Sequence, residues 1–307
     1  MKKLNVALLC GGFSAEREVS LKTGKNIAAS LDKEKYQVFL FDPKDNFDKL
    51  VGFLKKNKID VVFSALHGTF GEDGCFTGVF EIAGIPYTCS GVLSSAITMD
   101  KMMTKKLLSS EKIPMAKSVE LKKNYGEKEL KKIKLPAVVK PVSQGSSVGT
   151  FIVKTKQELK EALGRAFEFD ARVMAEEFIE GREVTAPVLG NKDPQALPLI
   201  EIRPKVSSFF DYRAKYEVGG SQEICPAPIS RALTEKIQRL AVQIHRTLGC
   251  RGVTRCDFII KKGRPYFLEV NTIPGMTNTS LVPLSARQAE ISFSALLDKL
   301  IELALEK

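Results

Sequence analysis

Thr254-Arg255-Cys256-Asp257-Phe258 leads into the turn-like Lys261-Lys262-Gly263-Arg264-Pro265, and the chain resumes as Leu268-Glu269-Val270-Asn271-Thr272. Two carboxylates, an amide and a guanidinium are set here within apolar stretches, where ionised groups are costly unless something pairs with them. On a hairpin, Glu269 and Asn271 are two apart and share one strand face. A three-residue loop would set Asp257 opposite Glu269, whereas a two-residue loop shifts the pairing by one and turns Asp257 away. Oxygen ligands of this kind suit Mg²⁺, and Mg²⁺ points to phosphate chemistry. The plainer alternative is a partly exposed hairpin whose polar face is solvated.

Downstream, Asn271-Thr272-Ile273-Pro274-Gly275-Met276-Thr277-Asn278-Thr279-Ser280 is too rich in special residues to be filler. Gly275 can bring a backbone N–H near a developing oxyanion, with Arg255 as a fixed-charge partner for the same oxygen. Ser280 and the backbone beside it could hold a carboxylate. Upstream, Lys140-Pro141-Val142-Ser143-Gln144-Gly145-Ser146-Ser147-Val148-Gly149 joins two predicted strands. Its glycines let backbone N–H groups approach an anion, and Lys140 could reach a phosphate. No Gly-Lys-Ser/Thr opens a helix here, so this is not a Walker A loop.

Farther upstream, Gly11-Gly12-Phe13-Ser14-Ala15-Glu16 sits on a strand-to-helix turn, and its Glu16 favours a cationic ligand over a dinucleotide phosphate. His67, at the end of a predicted strand, is a candidate site residue, while His245 falls mid-helix and reads as structural. Residues 175–183 end an apolar strand with many carboxylates, either a solvated linker or a segment facing an adenine and a ribose.

The 307 residues suffice for more than one domain, and 44% hydrophobic with 27% charged residues reads as soluble and globular. A net charge of +11 could attract anions, yet the lysines are dispersed and not interleaved with aromatics, so no nucleic-acid partner is expected. Residues 4–9 are too short for a secretory apolar segment and contain Asn5, and no stretch is long enough to span a bilayer. Cysteines 10, 75, 89, 225, 250 and 256 show no C-x-x-C spacing, which favours reduced thiols in a cytoplasmic protein with no membrane partner.

Strands over 4–10, 37–41 and 61–66 alternate with helices over 19–31 and 51–56, which predicts a parallel sheet with helices on both sides. A first unit closes near residue 95. A Lys- and Met-rich helix over 97–112, strands over 137–140, 150–153 and 173–179, and a helix over 157–165 form a second unit, 96–181. The third, 182–307, holds strands over 184–189 and 197–202, a polar loop 207–228, a helix over 231–248, the hairpin and a closing helix from about 286. The fold class is α/β for the first unit and α+β for the rest.

In order along the chain, segments 11–20, 67–74, 140–149, 209–216, 255–258 and 269–280 make it closely resemble the D-alanine–D-alanine ligase family of ATP-grasp carboxylate–amine ligases. The resemblance implies an N-terminal parallel-sheet domain followed by a two-domain ATP-grasp fold. It also implies a reaction in which ATP phosphorylates one D-alanine and the amine of a second attacks the acyl phosphate, and a homodimer in the cytoplasm serving peptidoglycan synthesis. Asp257, Glu269 and Asn271 then look like ligands of two Mg²⁺ ions, with Mn²⁺ as a substitute. Lys101, Lys140, Ser147 and Lys215 would hold phosphates, with Glu176 and Glu183 on the adenine and ribose sides.

By the same carry-over, Glu16 takes the first D-alanine's ammonium beside His67, and Ser280 with Leu281 receives the second carboxylate. Glu16, Ser146 and Tyr216 form a hydrogen-bonded set tying the N-terminal domain to the mobile loop 207–228, and Arg255 with Gly275 stabilises the oxyanion. Phe210 stands where a tyrosine is frequent and Thr77 where a glutamine often follows Glu-Asp-Gly, which touches loop contacts more than reaction class. A D-alanine–D-lactate ligase, disfavoured by Tyr216, and another ATP-grasp ligase are the alternatives. A non-enzymatic nucleotide sensor would have little need for three metal ligands together with Arg255.

Overall fold

The computed structural model describes residues 2–205, 219–277 and 279–306. Lys215, Tyr216 and most of the polar loop lie outside the described residues. Strands β1 (Leu4–Leu9), β2 (Tyr36–Phe41) and β3 (Val61–Ser64) pair in parallel in the order β2-β1-β3, with helices α1 (Arg17–Ser30) and α2 (Leu50–Lys56) in the crossovers. Both faces of this sheet are covered, which is why β1 is apolar almost throughout instead of alternating. Ala7 and Leu9 pack with Phe41, Leu54, Phe76 and Phe80 on one side. On the other, Val6 and Leu8 pack with Ile27 and with Leu296, Leu297 and Leu300 of the helix Phe293–Leu305. The end of the chain thus returns to complete the core of its first sheet.

Two further sheets follow. The order β4-β7-β5-β6 is built antiparallel from β4 (Ser118–Lys122), β5 (Ala137–Pro141), β6 (Phe151–Val153) and β7 (Arg172–Glu177), with the helix Lys156–Ala166 packed on it. The third contains β8 (Arg182–Leu189), β9 (Gln195–Ala196), β10 (Ile200–Pro204), β11 (Ser221–Ile224), β12 (Val253–Lys261) and β13 (Arg264–Asn271). Its order is β11-β10-β8-β12-β13, with β9 on β8. The amphipathic helix Arg231–Thr247 lays Ile237, Ala241 and Ile244 against Val184, Val188 and Phe258. At the entry to β8, a Cβ on Gly181 would meet the Ile260 carbonyl of β12 at 2.3 Å, so the chain joins the third sheet there backbone to backbone with its neighbouring strand.

Several elements differ from the sequence reading. The helix expected over 97–112 is two, α4 (Val92–Met99) and α5 (Lys101–Ser110), after α3 (Cys75–Ala83). Asp100 breaks it: its backbone is extended and its carboxylate accepts the Met103 N–H at 2.8 Å, restarting the helix as an N-cap. The closing helix is likewise two, Leu281–Gln288 and Phe293–Leu305, the second capped by Ser292. The strand expected over 197–202 is shifted to Ile200–Pro204, and the end of the polar loop is strand β11, paired with β10. Helix α3 and strand β4 went unpredicted. Helix α3 is nine residues long with Gly78 near its centre, which weakens its helical signal.

Candidate active site

The hairpin loop has two residues, not three. Lys261 pairs with Arg264, and Lys262 (φ 49°) with Gly263 (φ 74°) forms the left-handed two-residue turn that suits twisted strands. Such a turn alone would set Asp257 opposite Leu268. Instead the ladder slips by one between Phe258 and Asp257: Phe258 faces Phe267, but Asp257 faces Glu269 and Arg255 faces Asn271. Leu268 is the bulged residue, and Leu268 and Glu269, though adjacent, line the same cavity. The bulge restores the convergence that the turn length would have removed.

Asp257 is buried and fully engaged. Arg255 donates from Nε (3.0 Å) and Nη2 (2.9 Å) to its two oxygens, and Thr185 on the neighbouring strand donates to Oδ1 at 2.5 Å. Such a bidentate fork fixes the guanidinium plane. Asn271 accepts the Ile273 N–H at 2.9 Å, orienting the segment toward Gly275. Among the described residues, no three His, Cys, Asp or Glu side chains group so as to hold a metal on their own.

Two neighbouring cavities meet along this hairpin and share Lys101 and Glu269. The larger, about 750 Å³, is lined by Glu16, His67, Ser146, Arg255, Asn271, Gly275, Ser280 and Leu281, and also by Glu72. The smaller, about 130 Å³, is lined by Lys140, Ser147, Glu176, Glu183 and Asp257. The described residues that the sequence offers as site candidates therefore line one cavity or the other, with Glu269 on both.

At the junction, the Lys101 ammonium donates to the Gln144 carbonyl at 2.6 Å and lies 3.8 Å from Glu269. Lys105, one helical turn on, points into the same layer and pairs with Glu176, whose other oxygen is 2.6 Å from Lys140. Burial alone would push the Glu176 carboxyl up, but the two ammoniums prevail and hold it at about 2. Burial opposes the charge on Lys140, yet Glu176 and then Glu269 outweigh it and leave its pKa above the ordinary lysine value. For Lys105 burial prevails, and the pKa is lowered.

The glycine–serine loop closes over both cavities. Ser146 (φ 50°) and Ser147 (φ 59°) adopt left-handed backbone, and Ser146 Oγ donates to Glu16 Oε1. Gly145 sits close beneath it, where a Cβ would stand 3.0 Å from Glu16 Oε2 and press on that carboxylate. His67 is buried; burial lowers its pKa, and its Nε2 has no hydrogen-bond partner among the described residues. Glu72 accepts the Gly68 N–H at 2.7 Å, and burial followed by the charge of Glu16 pushes its carboxyl up to about 8. Ser280, the N-cap of Leu281–Gln288, receives the Thr277 N–H at 2.9 Å, and a Cβ on Gly275 would stand 3.0 Å from its hydroxyl.

Glu72, Lys105, Thr185 and Leu268 were not anticipated. Glu72 lay within a stretch already singled out around His67, and Lys105 is four residues from Lys101 on one helix, so both had a signal. Thr185 and Leu268 depend on pairing across strands, which carries no local mark.

Family models for the D-ala D-ala ligase N-terminus match residues 5–52 and 42–90, and that for the C-terminus matches residues 107–302. A D-alanine–D-alanine ligase of Syntrophobacter fumaroxidans is 47% identical over 309 residues, covering 99% of each chain. Among solved structures, a D-alanine–D-alanine ligase of Bacillus anthracis complexed with ATP superimposes with a TM-score of 0.86 at 37% identity, over 98% of this chain and 97% of that one. The VanG D-Ala:D-Ser ligase of Enterococcus faecalis gives 0.86 at 34% identity, over 99% of this chain and 100% of that one. With the ATP-grasp fold, the paired cavities and these full-length likenesses in agreement, the chain belongs to the D-alanine–D-alanine ligase family.

Proposed function

We propose that this protein joins two D-alanines into D-alanyl-D-alanine at the expense of ATP, for peptidoglycan precursor synthesis. The observation that carries the reading is the meeting of a substrate-sized chamber and a lysine-lined cavity at Lys101 and Glu269. In the first step a carboxylate oxygen of one D-alanine attacks the γ-phosphorus, and ADP leaves. The amine of the second D-alanine then attacks the acyl carbon, and the tetrahedral adduct expels phosphate as the amine loses a proton.

Glu16, fixed by Ser146, holds the first ammonium beside His67. Arg255, fixed by Asp257, and the Gly275 N–H face the oxyanion, while Ser280 and the N–H of Leu281 at the start of a helix take the acceptor's carboxylate. Lys101, Lys140 and Ser147 hold phosphate oxygens, joined from the loop by Lys215, with Glu176 and Glu183 on the adenine and ribose sides. Tyr216 completes the set with Glu16 and Ser146. The small cavity is tighter than the roughly 300–1,000 Å³ of common ligand sites, so a nucleotide needs its walls to part on entry. Closed over the site, the glycine–serine loop would exclude water from the acyl phosphate.

The donor set fits two Mg²⁺ ions, or Mn²⁺: Asp257, Glu269 and Asn271 offer hard oxygens side by side on the walls of both cavities. Bound there, the ions supply charge neutralisation to the phosphate oxygens. To join them, Asp257 must release part of its hold on Arg255. We place the protein in the cytoplasm as a homodimer, which sedimentation of the purified chain would test.

The decisive assay supplies ATP, Mg²⁺ and D-alanine, with D-lactate or D-serine as competing acceptors. Phosphate release matched by D-alanyl-D-alanine is expected, with loss on chelation and recovery with Mn²⁺. ATP hydrolysis without dipeptide would overturn the reading.

A further inference from the structure

We propose that Lys105 is a positioning residue for the nucleotide base, acting through Glu176, and that together they select a 6-aminopurine over a 6-oxopurine nucleotide. The inference rests on the nucleotide occupying the smaller cavity. Glu176 is held by two ammoniums at once, and Lys105, Lys140 and Glu176 are all buried. The two lysines differ in reach. Lys140 lines the nucleotide cavity with Glu176. Lys105 does not: it stands behind Glu176, on the wall of a separate surface groove with Met102 and Met115, and is also held by the Ala116 carbonyl at 3.4 Å.

A polyanion entering the cavity competes with Glu176 for Lys140 and has no access to Lys105. Were Lys105 absent, every shift of Lys140 toward phosphate would strand a buried carboxylate without a counter-charge, which is strongly unfavourable. With Lys105 in place, Glu176 stays ionised and fixed while Lys140 moves. An ionised carboxylate only accepts hydrogen bonds, so it pairs with an exocyclic amine and repels a carbonyl at the same position. The i, i+4 spacing of Lys101 and Lys105 on α5 makes the device compact: one helix face sends one ammonium to the phosphate junction and the next to the base side.

The test compares Lys105→Met, Lys105→Arg, Glu176→Gln and the Lys105→Met/Glu176→Gln pair in the full enzyme, with ATP and GTP as alternative substrates. Lys105→Met is expected to raise KM for ATP about 10-fold or more and to shrink the ATP-over-GTP preference about as much, with KM for D-alanine unchanged. Lys105→Arg should retain both. In the Glu176→Gln background no carboxylate is left to strand, so adding Lys105→Met should cost nothing further.

An unaltered ATP-over-GTP preference in Lys105→Met, or losses that add in the double variant, would overturn the proposal. If Lys105→Met does not fold, the comparison of Glu176→Gln with the double variant decides in the same way. Calorimetry of the wild-type protein with ATP separates the two levels. No ATP binding sinks the nucleotide reading itself, whereas wild-type binding matched by an unaffected Lys105→Met sinks only the role of Lys105.

Discussion

Asp257 and Glu269 are cross-strand partners because Leu268 bulges out of the ladder between them and the turn. The bulge sets two carboxylates side by side at the junction of the cavities, where only cations can make their proximity favourable. Replacing Glu269 by Gln keeps the shape and removes one charge. Ligation by Glu269→Gln is expected to fall about 100-fold or more, equivalent to roughly 2.7 kcal/mol of transition-state stabilisation, with the melting temperature little changed. Undiminished turnover of this variant at saturating Mg²⁺ would remove Glu269 from the metal site.

Ser146 ties the glycine–serine loop to Glu16, and so ties loop closure to the group that would grip the first ammonium. A hydrogen bond to a charged group contributes about 1.5–3 kcal/mol, so Ser146→Ala should lower kcat/KM for D-alanine by roughly 10- to 100-fold. With the loop less well held, water should reach the acyl phosphate, and phosphate released per dipeptide should rise above one. A variant that loses rate but stays fully coupled would show that Ser146 orients Glu16 without sealing the site.

Much of this architecture is legible in the sequence where the signal is local. The alternation of apolar runs with helical patterns marks β1 to β3, and Lys140 with its glycine loop marks one wall of the smaller cavity. What escaped is set by competition between elements. The two-residue turn at Lys262-Gly263 is local, but the bulge at Leu268 is chosen by what both strands must pack against: Phe267 in the core and Glu269 at the site. Asp100 divides α4 from α5 by capping, a signal that an otherwise continuous helical composition concealed. The pairing of Lys105 is set by β7, which places Glu176 against it.

Glu72 gives the fold a specific pH dependence. Its carboxyl is raised from 4.5 to about 8, mainly by burial and then by Glu16, so between these values the folded chain keeps a proton that the unfolded chain has released. Its contribution therefore favours folding least at high pH: stability falls by up to about 1.4 kcal/mol per pH unit through this window and levels off above it. Glu72→Gln is neutral throughout and lacks this slope. Urea unfolding should show the Gln variant gaining on the wild type from pH 5 to 8, and a pH-independent difference would refute the assignment.

Arg255 is held by Asp257 through two parallel hydrogen bonds while its own strand faces Asn271 and the larger cavity. Lysine keeps the charge but cannot fork both carboxylate oxygens and still present a fixed donor to a reacting oxygen. Arg255→Lys is therefore expected to lose about 100- to 1,000-fold in kcat, the scale of a missing oxyanion donor, with KM for ATP nearly unchanged. The split matters because Arg255 has two possible uses. If its main task were to hold Asp257 for a metal, the loss would appear in the Mg²⁺ concentration needed for half-maximal rate and would be recovered at high Mg²⁺. Persistent loss of kcat at saturating metal places Arg255 on the oxyanion.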